Sequence, residues 1–175
     1  IPNDYVQSFL KDYSPNEIGL LKDDLDNIRK LCFRGITAAE GQKTYVATAG
    51  GPGASKSTIL EIYLQDKSNF SYLDPDQRAL KFMINTYLQE FTNYKIRKAS
   101  GMKFLLQGAY DKWRGGSNYI ASSLINEASE KGYNIAHGAT SSSEHVAKLY
   151  QQLKKNNYKI TLLLCSSTDE NRVAS

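Results

Sequence analysis

The sequence has few cysteines and no long apolar run, and both shortages exclude classes of protein. Cys32 and Cys165 lie far apart and fit no metal-ligand spacing, and two thiols cannot supply the disulfide framework of a small secreted domain. No apolar segment approaches the roughly 20 residues that cross a bilayer. Residues 1–12 lack the basic-then-apolar layout of a secretion signal. We therefore expect a soluble, cytoplasmic protein with buried free thiols and no membrane partner.

A strong excess of charge of either sign is also missing. The net charge is only +4, and the lysines and arginines are interspersed with acidic residues instead of forming a run. Nucleic-acid-binding tails concentrate their basic residues, so nucleic acid is not an expected partner, whereas anionic small molecules suit this balance. The four prolines form no linker. We expect one compact domain with an appended helical segment.

Capping residues predict a helix near the start of the chain. Ser14 is a preferred N-cap residue, Pro15 suits the first helical turn, and Glu17 completes a capping box. Apolar residues then recur on one face with helical spacing. These features predict a helix over residues 15–33.

Strand-like and helix-like segments alternate over the rest of the chain. Four apolar segments have the length and composition of strands: 43–49, 70–73, 133–136 and 158–165. Helical spacing fills three intervals: 80–91, 102–131 with a break at Gly115-Gly116, and the segment after Ser141. This alternation predicts an α/β fold in three layers, with helices on both faces of a mostly parallel sheet and ligands beyond the carboxyl ends of its strands. Residues 1–40 then form an N-terminal helical extension, and residues 41–175 form the main domain.

A glycine-rich segment joins the first of these strands to a helix. Gly50-Gly51-Pro52-Gly53-Ala54-Ser55-Lys56-Ser57 matches the phosphate-loop pattern G-x-x-x-x-G-K-[ST], except that Ser55 stands where the pattern has glycine. Glycines let successive backbone N–H groups turn toward phosphates, and the following helix N-terminus adds further donors. We predict that ATP binds here, with Lys56 at the β- and γ-phosphates. Ser57 is the predicted ligand of Mg²⁺, for which Thr58 is a weaker substitute.

The serine at position 55 leaves two interpretations open. A right-handed backbone would tolerate Ser55, whereas a positive φ would strain it and bring its Cβ toward the phosphates. The second case predicts weaker nucleotide binding or a degenerate site. A plain glycine turn between strand and helix, without a ligand, is the remaining alternative.

Three motifs, in this order, resemble those of the zeta-toxin family of kinases. They are the phosphate loop, Asp74-Pro75-Asp76 after the second strand, and His137-Gly138-Ala139-Thr140 after the third. The resemblance covers residues 43–172 and implies a P-loop NTPase/kinase fold. It also implies an enzyme that uses ATP and Mg²⁺ to transfer the γ-phosphoryl group to a hydroxyl of a small metabolite. The characterised toxins of the family phosphorylate UDP-N-acetylglucosamine, so a nucleotide sugar is the implied substrate.

The resemblance further implies roles for individual residues. Asp76 matches the family's general base, and a carboxylate beside a helix N-terminus stays ionised and can orient a hydroxyl. Asp74 fits an N-cap better than a catalytic role. Arg172 lies where related kinases place lid arginines that neutralise charge on the transferred group. The implied substrate contacts are Thr140, His137 and Arg78.

Several alternatives stay open. His137 stands where the family often has an acidic residue, so it either contacts a different acceptor or ends its strand as a neutral imidazole. Arg78 also fits an ordinary solvated arginine. The substitution at Ser55 is compatible with a nucleotide-binding or partner-binding module without catalysis. Residues 1–33 are expected to pack on their own core or to dock an antitoxin or other regulatory protein.

The chain ends at Ser175, before the further lid segment and C-terminal helices that zeta-like proteins usually possess. Two expectations follow from this comparison. Either the sequence is truncated at its C-terminus, or catalytic parts are missing.

Overall fold

The computed structural model describes residues 1–50, 55–98, 105–138 and 144–165. In chain order, the described elements are α1 (Asn3–Ser8), α2 (Pro15–Cys32), β1 (Lys43–Ala49), α3 (Lys56–Leu64), β2 (Phe70–Leu73), a π-helical turn (Pro75–Ala79), a 3₁₀ turn (Leu80–Phe82), α4 (Tyr87–Lys98), α5 (Leu105–Glu130), β3 (Asn134–His137), α6 (Glu144–Lys155) and β4 (Tyr158–Leu164). Within this described part of the chain, none of the helices has the length and apolarity that crossing a bilayer requires.

The four described strands form one sheet in the order β2-β3-β1-β4, and all of its pairings are parallel. The predicted bounds of β1 and β2 are confirmed. β3 begins and ends one residue later than predicted, and β4 ends one residue earlier. In the register, Val46 lies beside Ala136, and Ala136 lies beside Tyr72. The predicted α/β fold with a parallel sheet is therefore confirmed.

Alternate residues of β1 face two different helices, as the period of two in a strand requires. Val46 packs with Leu60 of α3 in one core cluster. Its neighbour Tyr45 faces the opposite side, where its ring contacts that of Tyr150 in α6 at a centroid distance of 5.8 Å. Helices thus cover both faces of the sheet, which confirms the three-layer arrangement.

The chain divides into two compact units. The sheet unit comprises Ile1, Phe33–Asp74 and Leu124–Ser175, and the helical unit comprises Pro2–Cys32 and Pro75–Ser123. The predicted division into residues 1–40 and 41–175 stays a prediction.

The predicted capping box at the start of α2 is present in the helical unit. The Ser14 N–H donates to Glu17 Oε1 at 2.9 Å, and the Glu17 N–H donates to Ser14 Oγ at 3.2 Å. The predicted face of α2 is buried, with Leu21 and Ile28 almost fully removed from solvent. The helix ends at Cys32, one residue before the predicted end.

The predicted break at Gly115-Gly116 is wrong, because α5 runs through both glycines. The Tyr13 hydroxyl accepts the Gly116 N–H at 2.8 Å and donates to the Lys112 carbonyl at 2.5 Å, so it lies between a donor and acceptor that a regular helix would join directly. A Cβ at Gly116 would lie 2.9 Å from Leu21 Cδ1. The glycines therefore allow close packing against α5 and do not end the helix.

The predicted helix over residues 80–91 is also wrong in its first half, since α4 begins only at Tyr87. The buried carboxylate of Asp24 accepts hydrogen bonds from Asn85 N at 2.9 Å, Asn85 Nδ2 at 3.0 Å and Thr86 Oγ1 at 2.7 Å. Burial raises the pKa of Asp24, and these donors oppose that effect. These hydrogen bonds hold residues 85–86 outside a continuous helix. The helical spacing of the apolar residues gave no sign of the hydrogen bonds.

We expect Gly116→Ala to lower the free energy of unfolding by about 1–3 kcal/mol, because the added methyl group overpacks against Leu21. Gly108→Ala is the matched control in the same helix, since a Cβ there would meet no atom within 4 Å. This control should gain up to about 1 kcal/mol from helix propensity. Urea denaturation measures both variants, and equal stability changes would contradict the packing role of Gly116.

Candidate functional site

The turn after β1 begins at the carboxyl edge of the sheet. β1 lies between β3 and β4, and the Cys165 N–H after β4 donates to the Ala49 carbonyl at 2.8 Å. Gly50 has φ of +150°, and a Cβ there would lie 2.5 Å from the Cys165 carbonyl oxygen. Only glycine fits this approach of two backbone segments. The first glycine of the predicted phosphate loop is thus required by the structure.

Ser55 has a left-handed backbone at a position where the phosphate-loop pattern has glycine. Its φ is +56° and its ψ is +37°, and α3 begins at the next residue. A left-handed conformation costs a residue with a Cβ about 1–2 kcal/mol. Of the two sequence-based interpretations, the strained backbone is the one observed. The serine therefore retains the glycine-type conformation at an energetic cost.

The first turn of α3 carries the cation and the hydroxyls predicted for phosphate and metal binding. Lys56 and Ser57 are half-buried, and Thr58 is exposed. Burial raises the pKa of Cys165, while the positive charge of Lys56 acts in the opposite direction. The helix N-terminus adds unpaired N–H donors and a partial positive charge at the same place. This arrangement can bind an anion.

Asp74 and Gly138 lie side by side where β2 and β3 end. The Gly138 N–H donates to the Leu73 carbonyl at 3.0 Å, and the Tyr72 hydroxyl donates to Asp74 Oδ2 at 3.1 Å. A Cβ at Gly138 would overlap the Asp74 carboxylate. Gly138 is therefore required for the buried position of Asp74.

His137 ends β3 with its side chain buried inside the sheet unit. Its Nδ1 shares a hydrogen bond of 2.6 Å with the Tyr45 hydroxyl. Burial lowers the pKa of His137 to about 4, so the imidazole is neutral near pH 7. The predicted contact of His137 with a substrate stays a prediction. Six other predicted site residues lie outside the described residues: Gly51, Pro52, Gly53, Ala54, Thr140 and Arg172.

Asp76 and Arg78 belong to the π-helical turn of the helical unit. Asp76 Oδ1 accepts a hydrogen bond of 2.5 Å from Arg114 Nη1, and the same nitrogen contacts the Tyr110 hydroxyl at 2.7 Å. Arg78 donates to the Gln77 carbonyl at 3.2 Å. In the sequence, residues 111–118, which include Arg114, fit either a wall of a substrate cleft or a helix–helix turn, and α5 runs through them without a turn. Arg114 follows Tyr110 by four residues, a spacing that brings side chains together on a helix.

A cavity of about 390 Å³ lies beside Asp76 in the helical unit. Its lining residues are Asp76, Leu80, Lys81, Tyr87, Leu88, Phe91 and Tyr110. The rings of Tyr87 and Phe91 meet edge to face with centroids 6.3 Å apart. The volume suits a small molecule, and the wall combines aromatic rings with few polar groups, which is typical of ligand sites.

Near the end of β1, the left-handed Ser55 directly precedes a helix that begins with lysine and serine, which is typical of phosphate-binding α/β proteins. The family model for zeta toxin matches residues 30–171. The chain therefore belongs to the zeta-toxin family. No curated protein matches it significantly.

Solved structures show the same fold. One of them comes from the PezAT chromosomal toxin–antitoxin system of Streptococcus pneumoniae. It is 22% identical with a TM-score of 0.69, and the match covers 94% of this chain and 62% of that chain. The native AvrRxo1-ORF1:-ORF2 complex is 16% identical with a TM-score of 0.54, over 93% of this chain and 49% of that chain. The same complex with ATP is 15% identical with a TM-score of 0.54, over 95% of this chain and 51% of that chain. The chain thus spans between about half and 62% of these solved chains.

We expect Ser55→Gly to raise the free energy of unfolding by about 1 kcal/mol, because glycine adopts the left-handed conformation without strain. Ser55→Ala is the control, since alanine keeps the Cβ and should stay within about 0.5 kcal/mol of the parent. Urea denaturation with unchanged m-values measures both. A glycine variant no more stable than the alanine variant would contradict the strained conformation.

Proposed function

We propose that the protein is an ATP-dependent phosphotransferase that transfers the γ-phosphoryl group to a hydroxyl of a small metabolite. The observation that carries the proposal is the left-handed backbone of Ser55 directly before Lys56, at the end of β1. A plain connecting turn does not need a strained residue at a position where the phosphate-loop pattern has glycine. Membership of the zeta-toxin family supports the same activity.

In this proposal the turn and the first residues of α3 bind the triphosphate. Backbone N–H groups of the loop from Gly50 to Ser55 and of the helix N-terminus donate to phosphate oxygens, and Lys56 neutralises the β- and γ-phosphates. Ser57 fits a magnesium ligand, because its hydroxyl is a hard oxygen donor in the first helical turn, and Mg²⁺ takes few protein ligands beside phosphate oxygens. When bound, Mg²⁺ would neutralise charge on those oxygens.

Asp76 is the proposed general base. The acceptor oxygen forms a bond to the γ-phosphorus, the bond from that phosphorus to the bridging oxygen of ADP breaks, and the acceptor's hydroxyl proton passes to the Asp76 carboxylate. Arg172 is the proposed neutralising cation for the transferred group. The proposed substrate contacts are Thr140, His137 and Arg78. The family resemblance favours a nucleotide sugar, UDP-N-acetylglucosamine, as the acceptor.

The solved relatives support ATP as the donor and a protein as a partner. One AvrRxo1-ORF1:-ORF2 structure contains ATP, and the S. pneumoniae protein belongs to a toxin–antitoxin system. We propose an antitoxin or other regulatory protein as a partner of this chain. Residues 1–40 are the proposed extension beside the kinase domain at 41–175. The cytoplasm, where ATP is abundant, is the proposed location.

A second candidate is a nucleotide-binding module without turnover. The positive φ of Ser55 favours it, because a serine in this conformation carries a Cβ and a strain that glycine lacks. Such a module would bind ATP and release no product.

The proposed activity is tested with radiolabelled ATP, Mg²⁺ and a panel of nucleotide sugars and nucleosides. Lys56→Ala should lower turnover by about 10²-fold or more through loss of charge stabilisation. Asp76→Asn should lower it by about 10²–10⁴-fold through loss of the base.

The matched controls come from the exposed ion pair between Lys67 and Asp66, whose charged atoms are 3.2 Å apart. Lys67→Ala removes a positive charge and Asp66→Asn removes a negative charge, both outside the proposed site, so both variants should keep the parent rate. Equal labelling by the parent, Lys56→Ala and Asp76→Asn would refute the mechanism. Binding of ATP without labelled product would favour the module instead.

A further inference from the structure

We propose that Arg114 is a positioning residue for phosphoryl transfer, which holds the Asp76 carboxylate at the wall of the 390 Å³ cavity while Tyr110 holds Arg114. This inference rests on the proposed function, because it gives Asp76 the role of the base. It assigns a task to two residues of α5 that the phosphate-loop and acidic motifs do not include.

The geometry makes this arrangement a three-residue network. Arg114 Nη1 contacts Asp76 Oδ1 at 2.5 Å and the Tyr110 hydroxyl at 2.7 Å. The Arg114 guanidinium carbon also lies 5.6 Å from the centre of the Tyr110 ring, within range of a cation–π contact. Tyr110 precedes Arg114 by one helical turn, so α5 itself fixes the distance between them. The guanidinium is therefore held from two directions.

An isolated exposed ion pair usually contributes little, because solvent screens it and both side chains lose freedom. The side chains of Arg114 and Asp76 are 40% and 48% exposed, so charge attraction alone does not explain a functional role. The ion pair of Arg114 and Asp76 differs from an ordinary surface ion pair in its position beside a cavity. Asp76 and Tyr110 both line the same cavity, and Asp76 sits in a π-helical turn, a form that is frequent at functional sites.

The donor nitrogens of a planar guanidinium keep fixed relative positions, unlike the rotating donors of an ammonium, so Arg114 Nη1 offers Asp76 a donor of defined direction. Orientation matters for the proposed base, since a misplacement of about 1 Å can cost about 10²-fold in rate. Arg114 thus acts through Asp76 and need not touch the acceptor.

The test uses Arg114→Gln, Arg114→Lys and Tyr110→Phe in the full chain, with the same acceptor panel as probe. Arg114→Gln should lower kcat by about 10-fold to 10²-fold, with the KM for ATP within twofold of the parent. Arg114→Lys should be intermediate, and Tyr110→Phe should lose less than Arg114→Gln. Added to Asp76→Asn, Arg114→Gln should cause less than a further twofold loss, because its partner no longer acts as base.

Lys112→Gln is the matched control. Lys112 lies on the same helix and also forms ion pairs, but with Glu17 at 2.8 Å and Glu90 at 3.3 Å. It should change the Tm at least as much as Arg114→Gln does while kcat stays at the parent value. A purely structural role of Arg114 would instead make the two variants alike in both readouts.

Two results separate this inference from the proposed function. A parent protein with turnover whose Arg114→Gln variant keeps full kcat, or loses the same factor in the Asp76→Asn background, overturns the inference alone. A parent protein without turnover overturns the proposed function and the inference with it.

Discussion

The close approach of two backbone segments at the end of β1 is the constraint on which the candidate site depends. Gly50 passes so near to Cys165 that a side chain has no room, and Ser55 adopts a left-handed conformation before α3 begins. Gly50 fixes where the chain leaves the sheet, and Ser55 fixes how it enters α3. Lys56 and Ser57 directly follow Ser55, and the proposed phosphate site depends on them.

Two other glycines leave space for a neighbouring side chain, one in each unit. In the sheet unit, Gly138 leaves space for the buried carboxylate of Asp74. In the helical unit, Gly116 lets Leu21 pack against α5 and gives its N–H to the hydroxyl of Tyr13. These glycines serve packing, whereas Gly50 and the glycine-like Ser55 serve the turn.

The sequence predicted those parts of the fold that depend on local patterns. Short apolar runs between turn residues located β1 and β2, and the alternation of strands with helices predicted the parallel, three-layered α/β fold. The capping box at Ser14 and Glu17 is local too, and it is present. The phosphate-loop motif also located Lys56 and Ser57 on the first turn of a helix after β1.

The parts that the sequence could not predict depend on contacts between distant residues. Asp24 holds residues 85–86 through hydrogen bonds across 61 and 62 positions, so the helical spacing of 80–91 was misleading. The ion pair of Asp76 and Arg114 joins residues 38 positions apart. The backbone angles of Ser55 were also unpredictable, because serine permits either interpretation until the turn is built.

Calorimetric titration of the protein with ATP and Mg²⁺ measures the proposed phosphate site without requiring an acceptor. We predict saturable binding of one ATP per chain, with affinity at least about tenfold weaker in Lys56→Ala, a loss of about 1.4 kcal/mol. Absence of binding by the parent protein, or equal affinity in the two proteins, would contradict this prediction.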